Sequence, residues 1–319
     1  MLRFLIRRVL FGALMLWLVS VTVFVLFFVA PHDPARLVAG RLASPETLAT
    51  VRHRLGLDQP VLDQYRHFLG GLVRGDLGYS YYNSEPVRSL IAGRLPVTAS
   101  LAVGAVLIWL AIGIGIGVLS ARRPRSGTDR AATLFVLTGL SMPTFLLGLL
   151  LLYFLFFRLH LAGFDLFPGG GYVPLTQSPA GWVQHLILPW LTLAIVSAAT
   201  YTRLTRASLL EVLGEDYIRT ARAIGLSERR VVYKHGLRSS LTPVVTQLGI
   251  DVGALLGGAI VTESVFGLPG LGQLAVQSVT TQDLPVIIGI VLVAALFIIV
   301  ANIVVDALYA VLDPRVRLN

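Results

Sequence analysis

Long apolar runs alternate with short polar ones along almost the whole chain. Windows without a charged residue, each near or above the roughly twenty residues that cross about 30 Å of hydrocarbon, cover 9–30, 95–121, 131–157, 182–202 and 284–305. A sixth window, 241–262, carries a single acid, Asp251. The pattern predicts an all-α, polytopic membrane protein with six transmembrane helices, and an even number of crossings leaves both termini on one side. Pro143 and Pro189 fall inside the third and fourth windows, where each is expected to bend its helix. Three arginines, Arg3, Arg7 and Arg8, precede the first window, as in a signal peptide. Its apolar run is longer than a signal core and ends in Pro31-His-Asp-Pro34, so it is read as a retained anchor.

Two stretches break this alternation. Residues 31–94 mix polar and apolar positions; 44–55 and 61–73 have the spacing of amphipathic helices, the second closing at Gly75-Asp76. Tyr79, Tyr81 and Tyr82 suit a membrane surface. This segment is expected on the outer side, either as a lid over the helices or as part of a docking face. Residues 203–240 are polar and basic and read as two short helices separated by Gly225, which can take the left-handed conformation that closes a helix. Ser227 followed by Glu228 is expected to cap the second of them.

Composition agrees with the pattern: 55% hydrophobic and 13% charged residues, with a mean hydropathy of +0.77, exclude an ordinary soluble domain. Charge then orients the chain. The amino terminus has its three arginines, residues 121–130 four, 203–240 eight Arg or Lys, and the tail Arg315 and Arg317, whereas Arg158 stands alone in one opposite loop and residues 263–284 carry only acids. By the positive-inside rule both termini and the basic segment are cytoplasmic. The net charge of +9 is thus a topological signal and not a nucleic-acid footprint.

The chain is poor in reactive chemistry. With no cysteine it has neither disulfides nor thiol catalysis, and its six histidines show no metal-ligand spacing. Gly139-Leu-Ser-Met142 is not a serine-nucleophile elbow. The one lysine, Lys234, lies in Tyr-Lys-His, so the chain has no phosphate-binding loop of its own. No catalytic residue, metal site or bound cofactor is expected. Gly113-Ile-Gly-Ile-Gly117 is read as a close helix-packing face. Asp251 must avoid lipid, so it either lines a translocation path or binds a neighbouring helix. Asn302 poses the same choice, whereas Asp306 reads as a helix-end residue.

Several motifs carry a resemblance. Asp216-Tyr217, then Ala221-Arg222-Ala223 with Gly225-Leu226, and later His235, Leu237 and Arg238 resemble the cytoplasmic loop of inner-membrane permease subunits of ATP-binding-cassette importers. The match is to the dipeptide, oligopeptide and nickel group, in the first of its two permease types. Leu55-Gly-Leu-Asp-Gln-Pro60, Gly75-Asp-Leu-Gly78, Arg94-Leu-Pro-Val-Thr98, Glu263-Ser-Val-Phe266 and Pro269-Gly-Leu-Gly272 extend the likeness over the whole chain. Departures are His32 where Gly is common, Ile224 where a polar residue is frequent, Ser239 for Asn, and Arg219-Thr220-Ala221 in place of Glu-Ala-Ala.

The resemblance implies that the 203–240 loop docks in a groove of a separate ATPase through Asp216, Tyr217, Arg219, Thr220, Ala221, Arg222, Ala223, Gly225, Leu226, His235 and Arg238. Apart from the resemblance, Asp251 and Asn302 remain the candidates for lining the path, with contact to a neighbouring helix as the alternative. The implied partners are a second homologous permease, two cytoplasmic ATPase subunits (or one fused chain) holding ATP and Mg, and an extracytoplasmic solute-binding protein. The setting would be a bacterial inner membrane, and the cargo short peptides, with nickel chelates, glutathione or opines as alternatives. A stand-alone secondary transporter would instead require paired intramembrane charges or broken helices, which the sequence does not display.

Overall fold

A computed structural model gives the fold and describes residues 2–29, 35, 44–54 and 56–312. His32, Leu55, Arg315 and Arg317 lie outside the described residues. Within them the regular elements are helices, with an isolated bridge between Tyr79 and Pro86. In chain order these are α1 (Leu2–Phe24), continued by a wide turn Val25–Val29; α2 (Pro45–Arg54); α3 (Val61–Val73); α4 (Val87–Arg122); α5 (Gly127–Ser141); and α6 (Thr144–Leu151), continued by Leu152–Arg158 and Leu159–Leu161. Then follow α7 (Pro179–Leu213); α8 (Asp216–Ala223); a run of short turns Glu228–Arg230, Val231–Gly236 and Leu237–Ser240; α9 (Thr242–Val265); α10 (Leu271–Thr280); and α11 (Leu284–Leu312).

Among the described residues, five helical segments are long and apolar enough to cross a membrane: Ile6–Val29, Val87–Arg122, Thr144–Leu161, Pro179–Leu213 and Leu284–Asp306. The predicted window 131–157 is not one helix. Met142 is extended (φ −98, ψ 121) and Pro143 opens α6 as its N-cap, because the ring of a proline pushes the preceding residue out of the helical region. Pro189, by contrast, lies inside α7, which continues through it.

The chain divides into two compact units, one built from Pro96–Gln273 with the residues from Ala301 on, the other from Leu2–Leu95 with Leu274–Val300. In the first unit α7 is the central helix and packs against α5, α6 and α9. Its core gathers Trp109, Leu186, Leu188, Tyr201, Phe266 and Leu268. Since apolar surface gains little by leaving lipid, such helices associate through close van der Waals contact, which small residues permit. The expected glycine face does this: a Cβ on Gly113 would stand 2.5 Å from Tyr201 Cβ, and one on Gly117 2.6 Å from Thr205 Cβ. Gly115, on the opposite side of the helix, faces open space.

A buried carboxylate fixes the turn after α9. Glu263, fully buried, accepts from Thr98 Oγ1 at 2.6 Å and from the backbone N–H of Gln273 at 3.0 Å, while Leu271 N–H donates to Thr98 Oγ1 at 2.8 Å. The acid therefore meets the opened N–H groups and positive dipole end of α10. Gly270 leaves the space, for a Cβ there would lie 2.3 Å from the Glu263 carboxyl carbon. Three of the sequence motifs, 94–98, 263–266 and 269–272, thus meet in one knot.

In the second unit α3 lies on α1, with Ser20 Oγ and Tyr65 OH hydrogen-bonded at 3.0 Å beside a cluster of Phe24, Phe28 and Phe68. The left-handed Gly75 (φ +77) closes α3, with Gly75 N–H on Leu72 O and Asp76 N–H on Gly71 O. Asp283, 1% exposed, accepts from Ser80 Oγ at 2.5 Å and from the backbone N–H groups of Tyr81 and Tyr82, both at 3.3 Å. The two acids of 263–284, Glu263 and Asp283, are therefore buried acceptors, because each finds the donors that satisfy a desolvated charge.

Candidate functional site

Helix α7 ends at Leu213 beside Gly214, and Glu215 leads into α8. Only one side of α8 is apolar and inward: Ile218 is fully buried and Ala221 nearly so, packed with Val231, Val212, Leu213 and Leu226. The helix stops where the sequence predicts. Gly225 adopts φ +83, its N–H bonds Arg222 O at 3.0 Å, and Leu226 N–H reaches back to Ala221 O at 3.3 Å. These two bonds, with Leu226 packed on Ala221, form a Schellman closure that a residue with a side chain adopts only under strain.

The second helical piece differs from expectation. Ser227 occupies the N-cap position without a side-chain bond to the helix, and Glu228 instead turns to Arg222. That pair is bidentate, Nη2–Oε1 2.8 Å and Nε–Oε2 3.1 Å, and Arg222 Nη1 also approaches Leu213 O. The Arg222 N–H groups hold the Glu228 carboxyl below its ordinary value. Arg222 is therefore a strut across the Gly225 turn. Ala221, likewise, serves internal packing and not an outward contact.

The outward side of the knob presents Asp216, Tyr217, Arg219, Thr220, Ala223 and Ile224. Tyr217 is 46% exposed and Ile224 71%, and Arg219 bonds its own helix neighbour Asp216, at 3.3 Å. The Tyr217 hydroxyl donates to Ser239 Oγ at 3.2 Å, which ties α8 to the Leu237–Ser240 turn. His235 is partly buried; Arg229, Arg230, Lys234 and Arg238 are exposed. A short helix offering two apolar side chains within a cationic surface has the composition of a docking element: aromatic and aliphatic anchors with charges around them.

Sequence reading missed the junction beneath this knob. Asp129, 5% exposed, is the third residue of α5 and receives four hydrogen bonds: Ser120 Oγ at 2.5 Å, Arg125 N–H at 2.8 Å, and Arg206 Nε and Nη2 at 2.7 and 3.0 Å. Led by Arg206, these donors hold its carboxyl far below the usual carboxylate range. Among eight basic residues Arg206 carried no distinguishing mark. The Ser126-x-x-Asp129 capping pattern was the only local signal, and Ser126 Oγ does accept from Asp129 N–H, at 3.3 Å.

The two residues proposed for a path are not brought together. Asp251 accepts from Gln247 Nε2 at 2.8 Å and lies beside the buried Tyr201 of α7. Asn302 packs against Gly249, its Oδ1 3.5 Å from where a Cβ would sit. Positions 249 and 251 point about 200° apart around α9 at 100° per residue, so the two side chains serve different faces of it.

Comparison with known proteins completes the description. Residues 113–318 match the family described as binding-protein-dependent transport system inner membrane component, and residues 1–102 match the corresponding N-terminal family. The glutathione transport system permease protein GsiC of Escherichia coli (strain K12) is 43% identical over 318 residues, 99% of each chain. A permease protein of Brucella abortus (strain 2308) named for a peptide transport system is 42% identical over 312 residues, 98% of each chain. In an inward-facing crystal structure of the MetNI methionine ABC transporter, one chain superposes with a TM-score of 0.54 at 20% identity, over 70% of this chain and 96% of that one. That likeness shows a shared fold. Matched along nearly its whole length, the chain belongs to the binding-protein-dependent transport system inner membrane components, the permeases of ABC transporters.

Proposed function

We propose that this protein forms half of the translocation path of an ABC importer for short peptides and is driven through the 203–240 loop by separate ATPase subunits. The observation that carries this reading is α8: a closed, internally braced helix exposing Tyr217 and Ile224 in a basic surface. Such a knob suits a groove lined by apolar and acidic side chains. With α9, 24 residues long, as the remaining crossing, six spans place both termini and the knob in the cytoplasm, and residues 31–94 outside as a lid. The partners are then a second permease, two ATPase subunits that bind ATP and Mg, and an extracytoplasmic binding protein. This chain itself supplies no catalytic group.

Peptide cargo is supported by the relative named for peptide transport, and glutathione, itself a short peptide, by the similarity to GsiC. The test is purification of the tagged chain from its native membrane, with mass spectrometry of what stays bound, an ATPase assay, and uptake of labelled tripeptide in competition with glutathione. Two ATPase chains with a second permease, and uptake inhibited by short peptides, is the expected result. A chain that purifies alone and without ATPase activity refutes it.

A further inference from the structure

The carboxylate of Asp129 joins the last turn of α4, the first turn of α5 and α7 seven residues above the end from which the knob hangs. Ser120 belongs to the first, Asp129 to the second and Arg206 to the third. The Asp129 side chain is buried, that of Arg206 partly exposed, and the geometry is a fork: both oxygens of Asp129 face two nitrogens of Arg206, and Ser120 Oγ and Arg125 N–H donate to the same carboxylate. Arg125 itself is held at φ +63, a conformation that persists in a non-glycine residue when its surroundings over-determine it.

From α8 an unbroken packed route leads to this fork. Ile218 and Ala221 pack on Val231 and Leu213. The adjacent Val232, 1% exposed, packs with Leu209, Val118 and Ala121 at the end of α4. Arg122 lies over the ring of Tyr233 at 5.8 Å. Apolar contacts of this kind slide, whereas a bidentate pair on a buried carboxylate has one arrangement and resists shear.

We propose that Asp129 and Arg206 are positioning residues of transport: they make the knob, the end of α7 and the α4–α5 hairpin one rigid body, so that movement imposed on α8 reaches α5. The inference rests on the coupling reading of the 203–240 loop. Without the pair, the knob still binds its partner and ATP is still hydrolysed, but the hairpin no longer follows.

The chain has no cysteine, which makes paired labelling direct. In the purified complex, nitroxide labels at Arg130→Cys on the hairpin and Arg229→Cys on the knob, both exposed positions, report their separation by pulsed electron resonance with and without trapped nucleotide. The expected result is one narrow distance in both states, with both labels moving together relative to a third on α11. In Asp129→Asn and in Arg206→Gln the distance broadens and the hairpin label loses its nucleotide response, while the ATPase subunits stay bound and active. Arg206→Lys, which keeps charge and loses the fork, broadens the distance less.

A distance and response unchanged in both variants overturns the proposal. Failure of both variants to assemble also overturns it, since the pair would then hold the fold and transmit nothing. A knob label indifferent to nucleotide, with the narrow knob–hairpin distance intact and lost in Asp129→Asn, instead refutes the coupling reading and leaves the rigid junction standing.

Discussion

Replacing Gly225 separates two roles that a small residue in a docking helix can have. A Cβ built there meets nothing within 4 Å in this chain, so Gly225→Ala makes no internal clash and acts through φ +83 alone. Holding alanine in that conformation costs about 1–2 kcal/mol. The closure opposing this strain is modest. The exposed Arg222–Glu228 pair contributes only about 0.2–1 kcal/mol, and burial of Ile218 about 2–3 kcal/mol. Strain of this size therefore consumes much of the local stability and opens the turn about five- to thirtyfold more often.

Hydrogen exchange at the Gly225 and Leu226 amides, which donate to Arg222 O and Ala221 O, measures that factor without reference to function. Affinity for the ATPase subunits measures its consequence. Asparagine visits the left-handed region readily, so Gly225→Asn retains most of the protection and most of the affinity. Gly225→Val, branched at Cβ, loses the most. Equal exchange rates in the Ala and Asn variants would refute the conformational argument. Affinity lost equally in both, with exchange differing as described, would instead show that the partner's backbone occupies the space a Cβ would fill.

Three further outcomes follow from the geometry. Glu263→Gln sets an amide N–H₂ against either the Thr98 hydroxyl or the Gln273 N–H and lowers stability by about 1–3 kcal/mol, read as a fall in the melting temperature of the detergent-solubilised protein. Gly117→Leu forces α4 away from Thr202 O, 2.9 Å from its would-be Cβ, and costs at least about 1–3 kcal/mol in the same assay, whereas Gly115→Leu, facing open space, leaves the melt unchanged. Asp129 has a folded-state value far below its ordinary 3.8 because Arg206, Ser120 and Arg125 N–H donate to it. Its contribution is complete above that ordinary value and is lost only as pH falls toward the depressed one. The melting difference between wild type and Asp129→Asn is therefore constant from pH 8 to about 5 and narrows below about pH 4; a difference that already shrinks between pH 8 and 6 contradicts the assignment.

What the sequence determined by itself is whatever a local rule or the bilayer imposes. Hydrocarbon thickness sets the length of an apolar run, so five spanning segments were legible among the described residues, though not the break at Met142 inside the third window. A left-handed residue is nearly always glycine, so the stops at Gly75 and Gly225 could be placed to the residue. Pro143 was half legible: its ring announces an irregularity, but whether the helix bends or ends is decided by the neighbours, and here it ends.

Tertiary structure alone decided which charges are buried and paired. Asp129 and Arg206 are 77 positions apart, Thr98 and Glu263 165, and nothing local distinguishes an acid in a solvated loop from one capping a distant helix. The energy of such a pair comes from hydrogen-bond geometry good enough to offset the cost of desolvating a carboxylate, and that geometry exists only once the helices have met. For the same reason Arg222 read only as part of a docking surface until the fold placed Glu228 across the Gly225 turn, and that Asp251 meets Gln247 while Asn302 lies by Gly249 became visible only once the helices had packed.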